Sequence, residues 1–489
     1  MLTDEPRYDV WEQIRQQDLK AFARLLPESL VVQAAERADV RIVRSALAIP
    51  NLVWLGVLSA LHSTKSFARI LTLTAQMLDL SANGLPEAVA RSRRNAARRK
   101  PKASKHSPRG KDPATVTEEA FTQARRRMPV AVWFVLIELL TARFEEQHQD
   151  LIRWKRFRLL ALDGTTIRLP QHNRLAEHFG TSSNGRYRVA QARMVMLQLP
   201  LVRLPWRYEL GPVDEGERTV AARLLKQVRR NDLVLMDQGF WSYGLFHQIQ
   251  AARGYFAIRQ YPGVRMKTLR RLGPRDRIVR WKTPSGPRWR NANLPESITL
   301  RVINYQIKGF PPSAVVTNVL GPKRISREDW IRMATEAEPG HPLDPAVRKG
   351  IGLYHRRWEI ETTFQELKVY QGLERTLRSH SPESVQYEVA GHVVLYLLVC
   401  WLMVEAAQRS TGDGDPLGVS FKHALEELVT AWPLLLTSTS TEVNRRVLPK
   451  LLAAIASHEV QWRPGRTFAR KTSSASKKRR RKKSARQQT

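Results

Sequence analysis

Between residues 157 and 260 the chain carries short, almost unbroken apolar runs, and these limit its fold more than any other feature. Phe157-Arg158-Leu159-Leu160-Ala161-Leu162 stops at Asp163-Gly164, and Leu233-Val234-Leu235-Met236 stops at Asp237-Gln238-Gly239. Tyr255-Phe256-Ala257-Ile258 is a third such run. They are too short for core helices and too apolar for strands with one wet face, so they read as strands covered on both sides. Met194–Leu199 and Trp206–Leu210 add strands; Glu217–Arg229, with Val220, Leu224 and Val228 on one face, and Ser242–Ala252 add helices. The expected class is α/β. In such sheets sites form at the C-terminal ends of strands, and two of these runs end in aspartate. Alone, an aspartate ending a strand is an ordinary turn residue.

A second stretch carries more chemistry. Tyr354 to Lys368 reads as a helix. At about 100° per residue, Leu353, Ile360, Phe364 and Leu367 make an apolar stripe, and Tyr354, Arg357, Glu361 and Lys368 line up beside it. Glu359, Glu366, His355 and Thr362 are expected to face away from the core. The plain alternative is a surface helix with i,i+4 pairs such as Arg357–Glu361, each worth about 0.2–0.5 kcal/mol.

The order Tyr-x2-Arg-x3-Glu-x6-Lys resembles the signature helix of DDE insertion-sequence transposases, in the subgroup typified by insertion element four. The flanking Trp358-Glu359-Ile360-Glu361 and Phe364-Gln365-Glu366-Leu367-Lys368 are similar to that family's text. So are Leu162-Asp163-Gly164-Thr165-Thr166, Leu235-Met236-Asp237-Gln238-Gly239-Phe240 and Gln191-Ala192-Arg193. Gln238 departs from the pattern, where the family often has Arg. The resemblance covers roughly residues 155–410.

What it implies is specific. The fold would be RNase H-like, a mixed sheet flanked by helices with a β-rich insertion. Asp163, Asp237 and Glu361 would be catalytic and would hold two Mg²⁺ (or Mn²⁺) ions per active site, Asp163 bridging both. Tyr354, Arg357 and Lys368, with Arg193, would meet DNA. Holding a terminal base out of the stack would fall to an aromatic of the insertion, with Trp330, nearest the signature helix, Trp281 and Trp289 as candidates, although for each of them packing on its own small subdomain is the favoured reading. The activity implied is cut-and-paste transposition on double-stranded DNA, terminal inverted repeats and target, by a homodimer. An RNase H-like nuclease without strand transfer and a catalytically silent DNA-binding relic remain open alternatives.

Composition agrees with a polyanionic partner. The net charge is +36. Residues 464–489 hold eleven Lys/Arg and no acid, so the rest of the chain still carries +25 of that charge. Such an excess fits nucleic acid; a ribosome or membrane surface is the competing partner. The single cysteine, Cys400, excludes a disulfide framework and a cysteine-rich zinc site. With Asp4 and Glu5 and no apolar segment at the start, the expected place is the bacterial cytoplasm, associated with the nucleoid. The apolar runs Val130–Ile137 and Val393–Val404 are shorter than a membrane span and read as buried helix, so no membrane partner is expected.

The expected organisation is an N-terminal helical domain over 1–90, a basic linker over 91–116 and a helical connection over 117–154. The RNase H-like core follows in two parts, 155–260 and 346–410, the second with the signature helix, around a β-rich insertion over 261–345. A C-terminal helical region spans 411–463, and a disordered basic tail 464–489.

Overall fold

A computed structural model describes residues 25–42, 47–71, 118–183, 188–285, 294–306, 312–331, 352–411, 414–438 and 440–460. The linker 91–116, the tail 464–489 and Trp289 lie outside the described residues, as does much of the segment 1–90.

The strands are β1 (Arg153–Trp154), β2 (Phe157–Arg168), β3 (Thr181–Ser183), β4 (Arg188–Leu199), β5 (Leu204–Pro212), β6 (Asp232–Met236), β7 (Tyr255–Arg259), β8 (Lys267–Gly273), β9 (Asp276–Lys282), β10 (Ser297–Tyr305) and β11 (Ser313–Thr317). The first six residues of β2 and all of β6 are buried, as double-sided apolar strands must be. β6 and β7 run parallel to β2 and to each other. β4 is antiparallel to β2, and β5 to β4. The order β5-β4-β2-β6-β7 with these directions is the RNase H-like arrangement, flanked by helices.

The region 261–345 contributes β8 to β11, and they continue the same sheet. β11 pairs antiparallel with β7, then β10, β9 and β8 follow outward. The outermost strand, β8, is almost wholly exposed and carries Lys267, Arg270 and Arg271.

Behind the sheet stands one long helix, Pro382–Thr411. It packs on Ile49–Leu61, Glu118–Arg127, Val130–Gln147, Phe421–Thr437 and Leu448–Ser457. By length and composition Pro382–Arg409 could cross a membrane, yet its most apolar window is entirely buried inside the protein. A helix apolar all round belongs in just such a core. The helix Ile49–Leu61 is likewise buried at every position.

The two helices approach closely at Gly56 and Gly391. A Cβ on Gly391 would stand 2.5 Å from the Gly56 carbonyl oxygen, and one on Gly56 2.8 Å from the Trp133 ring. Backbone cannot step aside as a flexible side chain can. Gly391→Ala is therefore expected to destabilise the chain by about 1–3 kcal/mol through overpacking. Chemical denaturation checks this, and an unchanged midpoint would show that the crossing relaxes freely.

Candidate active site

Two strand neighbours bring the aspartates together. Leu162 of β2 pairs with Met236 of β6, so Asp163 and Asp237 each follow one member of a register pair on adjacent parallel strands. Asp237 follows the end of β6 and precedes the single 3₁₀ turn Gln238–Phe240. Asp163 corrects an expectation: it does not end its strand. β2 continues to Arg168, still paired with β4 through Arg168↔Gln191. The apolar run stops at Asp163 because β6 stops there, which opens one side of β2 while the other stays in the ladder.

The signature segment is helical but not of one pitch. Leu353–Trp358 is 3₁₀, Glu359–Gln365 is α and Glu366–Tyr370 is a π turn. In a 3₁₀ turn residues three apart eclipse, so Tyr354 and Arg357 point the same way. Constant 100° steps therefore misplace some side chains. His355 and Glu366 are buried, not facing away from the core. Burial, with Arg357 adding to it, pushes the His355 imidazole down to about 4.

The three acids meet at one cation. The Arg357 guanidinium lies 2.9 Å from Glu361 Oε1, 3.5 Å from Asp163 Oδ2 and 3.9 Å from Asp237 Oδ1. The first two contacts share a single nitrogen, so the Glu361 and Asp163 oxygens are no farther apart than the sum of those distances. Burial opposes the charge on Arg357, but the Tyr354 hydroxyl and the three acids outweigh it and hold its pKa above the ordinary value. Asp163 is raised from 3.8 to about 6. Burial is the main cause; Glu361 and Asp237 add to it, while Arg357 and the Gly164 N–H oppose it.

Burial first, and the two neighbouring acids second, disfavour the Asp163 charge, and a bound cation would favour it. Among the described residues no three acid, His or Cys side chains already form a metal cage. The acids are gathered instead on the guanidinium. Their all-oxygen donor set fits a hard divalent cation such as Mg²⁺.

Residues 154–398, half of the chain, match the family model described as "Transposase DDE domain". The chain belongs to the DDE transposase family. It is 28% identical over 348 residues to the transposase InsG for insertion sequence element IS4 of Escherichia coli (strain K12), covering 70% of this chain and 72% of that protein. The piggyBac transposase, in a synaptic complex with hairpin DNA, aligns with a TM-score of 0.37 at 11% identity, over 96% of this chain and 90% of that one.

In this transposase the remaining expected site residues fall in different surroundings. Lys368 reaches back to β2, where its Nζ donates to Thr165 Oγ1 at 2.8 Å and the Thr166 carbonyl at 2.6 Å, and it pairs with Glu374 at 3.0 Å. It is anchored two and three residues past Asp163 along β2 and is not a free cation. Tyr354 is buried and its hydroxyl donates to the Met236 carbonyl at 3.2 Å, tying the signature segment to the strand that carries Asp237.

Arg193 donates to Glu217 and to the Val213 carbonyl, each at 2.6 Å, and so fastens the helix Glu217–Leu224 to β4. Glu217 leans over Gly164, where a Cβ would meet its carboxyl at 3.1 Å. Trp330, expected to hold a base, is fully buried with Tyr305, Leu353 and Tyr354 and presents no face to a ligand. Trp281 is also buried, against Trp241, Tyr243 and Phe246.

Sequence reasoning missed two features. Arg203, in the turn between β4 and β5, pairs with Glu359 and Glu366 of the signature segment. No local pattern marks that long-range contact. A cleft of about 590 Å³ also opens at Gln238, the residue after Asp237, lined by Arg259, Tyr261 and Arg275 among others. Arg259 follows Ile258, which pairs with Met236, and that register could have flagged it as a neighbour of Asp237.

Proposed function

We propose that this transposase excises and inserts its element by metal-dependent phosphoryl transfer, with Asp163, Asp237 and Glu361 as the ligands. The observation that carries the reading is the convergence of these three acids on one guanidinium. A side-chain cation there substitutes for the charge that the acids are built to hold. Two divalent ions between the acids would polarise the scissile phosphate and lower the pKa of the attacking hydroxyl. Arg357, released from the acids, is then free to meet a DNA phosphate within reach of the same centre. Lys368, held against Thr165 and Thr166 of β2, adds a second phosphate contact in this reading.

The substrate in this reading is double-stranded DNA: the element's ends, then a target. The +36 charge, the exposed cations of β8 and the cleft with Arg259 and Arg275 support a long basic track leading to Asp237. Joining two ends calls for two active sites, hence a homodimer on DNA, and the compartment is the bacterial cytoplasm at the nucleoid. The test is nicking and strand transfer on a duplex bearing the element's own end, with and without Mg²⁺. Nicking without joining would make the protein a nuclease, and neither activity would make it a DNA-binding relic.

The phosphate roles have their own test. Arg357→Ala and Lys368→Ala are each expected to weaken end binding and to flatten its salt dependence by about one contact, because every neutralised phosphate releases counterions. Binding isotherms over a salt series measure it. Parental slopes in both variants would contradict the assignment.

A further inference from the structure

The α-helical part of the signature segment is gripped from behind. Arg203 is almost fully buried and sits at a backbone φ of 52°, in the left-handed region that a non-glycine residue seldom occupies. Its Nε donates to Glu359 Oε2 at 2.9 Å and its Nη1 to Glu366 Oε1 at 3.1 Å. Tyr396, from the long buried helix, places its hydroxyl 2.6 Å from Glu366 Oε2 and 3.1 Å from Thr363 Oγ1. Glu359 opens the α stretch and Glu366 opens the π turn, so one guanidinium holds both ends of that stretch.

Glu361 stands two residues beyond Glu359, about 200° round a helix of 3.6 residues per turn. It therefore points away from Arg203 and towards Asp163. A buried ion cluster is a poor source of stability, since apolar residues of similar volume often serve as well. What an ion cluster fixes better than apolar packing is geometry. A short α stretch between a 3₁₀ turn and a π turn has little intrinsic rotational register of its own.

We propose that Arg203 is a positioning residue which, by gripping Glu359 and Glu366, sets the rotation of the helix and aims Glu361 at the Asp163–Asp237 pair. This rests on the reading of Glu361 as a metal ligand. The role follows from placement, because Arg203 touches neither the other two acids nor the cleft beyond Asp237.

The decisive variant is the double replacement Arg203→Met with Glu366→Leu, which removes both buried charges together. It should melt close to the parent and bind the element's end with parental affinity. Its maximal nicking rate should fall by about 100-fold, the scale of a misplacement near 1 Å. Half-saturation should need more Mg²⁺, and the rise in melting temperature that Mg²⁺ gives the DNA-free protein should shrink. Parental nicking with a parental Mg²⁺ response would overturn the proposal and leave the cluster as packing alone.

If the double variant loses its fold, Arg203→Lys decides instead. It keeps the charge but lacks the fork that spans both glutamates. The same split between Mg²⁺ requirement and DNA affinity is expected, and parental behaviour overturns the idea. Glu361→Gln is run in parallel. Normal nicking by that variant sinks the metal-site reading itself; loss there with a normal double variant sinks only the role of Arg203.

Discussion

Glu361→Gln should leave the chain folded and able to bind DNA ends, while Mg²⁺-dependent nicking falls by orders of magnitude. The Glu361 side chain is about half exposed, and its ion pair is with Arg357, one turn back at 2.9 Å. A half-exposed i,i+4 pair is worth no more than about 0.2–0.5 kcal/mol. Arg357 keeps Asp163 and Asp237 as partners, and the buried faces of Ile360 and Phe364 are untouched. Melting should therefore hardly move. In the proposed mechanism the lost charge is a metal ligand's, and it acts on the reaction instead, where metal-ion stabilisation is worth several kcal/mol. The measurement is paired, melting and nicking on one preparation. Robust nicking by the glutamine variant would remove Glu361 from the ligand set.

Asp163→Asn is expected to act in opposite directions on stability and activity. The folded-state pKa of Asp163 is raised from 3.8 to about 6, so the folded chain keeps that proton to higher pH than the unfolded chain does. The contribution of Asp163 to stability is then fully present below about pH 4, is lost as pH rises through the window from 4 to 6, and levels off above it. At neutral pH the loss is on the order of 3 kcal/mol. Asparagine cannot ionise and escapes the loss. The variant should melt like the parent at pH 4 and higher than the parent at pH 7.5, while nicking disappears. If Asp163 is a metal ligand as proposed, Mg²⁺ should stabilise the parent and not the variant, closing the gap. Melting curves that stay parallel across that window would show that Asp163 is not the strained group.

Much of this centre could be read from the residues before any coordinates. The apolar runs fixed β2, β6 and β7, and the acids after them fell on adjacent strands because β2 and β6 pair in register. What stayed hidden depends on distant partners. The run before Asp163 ends where its neighbour ends, which looks the same in sequence as the end of the strand itself. The signature segment changes pitch twice, and a single angular step cannot show that.

Glu366 reads as an outward charge because a buried carboxylate without a partner is costly. Its partner, Arg203, lies 163 residues away, beyond any local pattern. Trp330 and Arg193 were legible as residue types suited to DNA, but the fold uses one as core and the other as a clasp on Glu217.

The long buried helix has a consequence for the order in which the protein is made. Tyr387 on that helix donates its hydroxyl to the Leu52 carbonyl, across 335 residues of chain. At roughly 5–20 residues per second, the apolar helix Ile49–Leu61 leaves the ribosome tens of seconds before the surface that covers it exists. Over that interval a helix buried on every side in the finished protein must be shielded by something else or stay uncommitted. The sheet with Asp163 and Asp237 can assemble meanwhile, from strands that follow one another closely. The helical layer behind it is completed only when residues 382–411 arrive, so synthesis that stops short of them leaves a complete pair of aspartates on a sheet whose helical backing lacks its longest member.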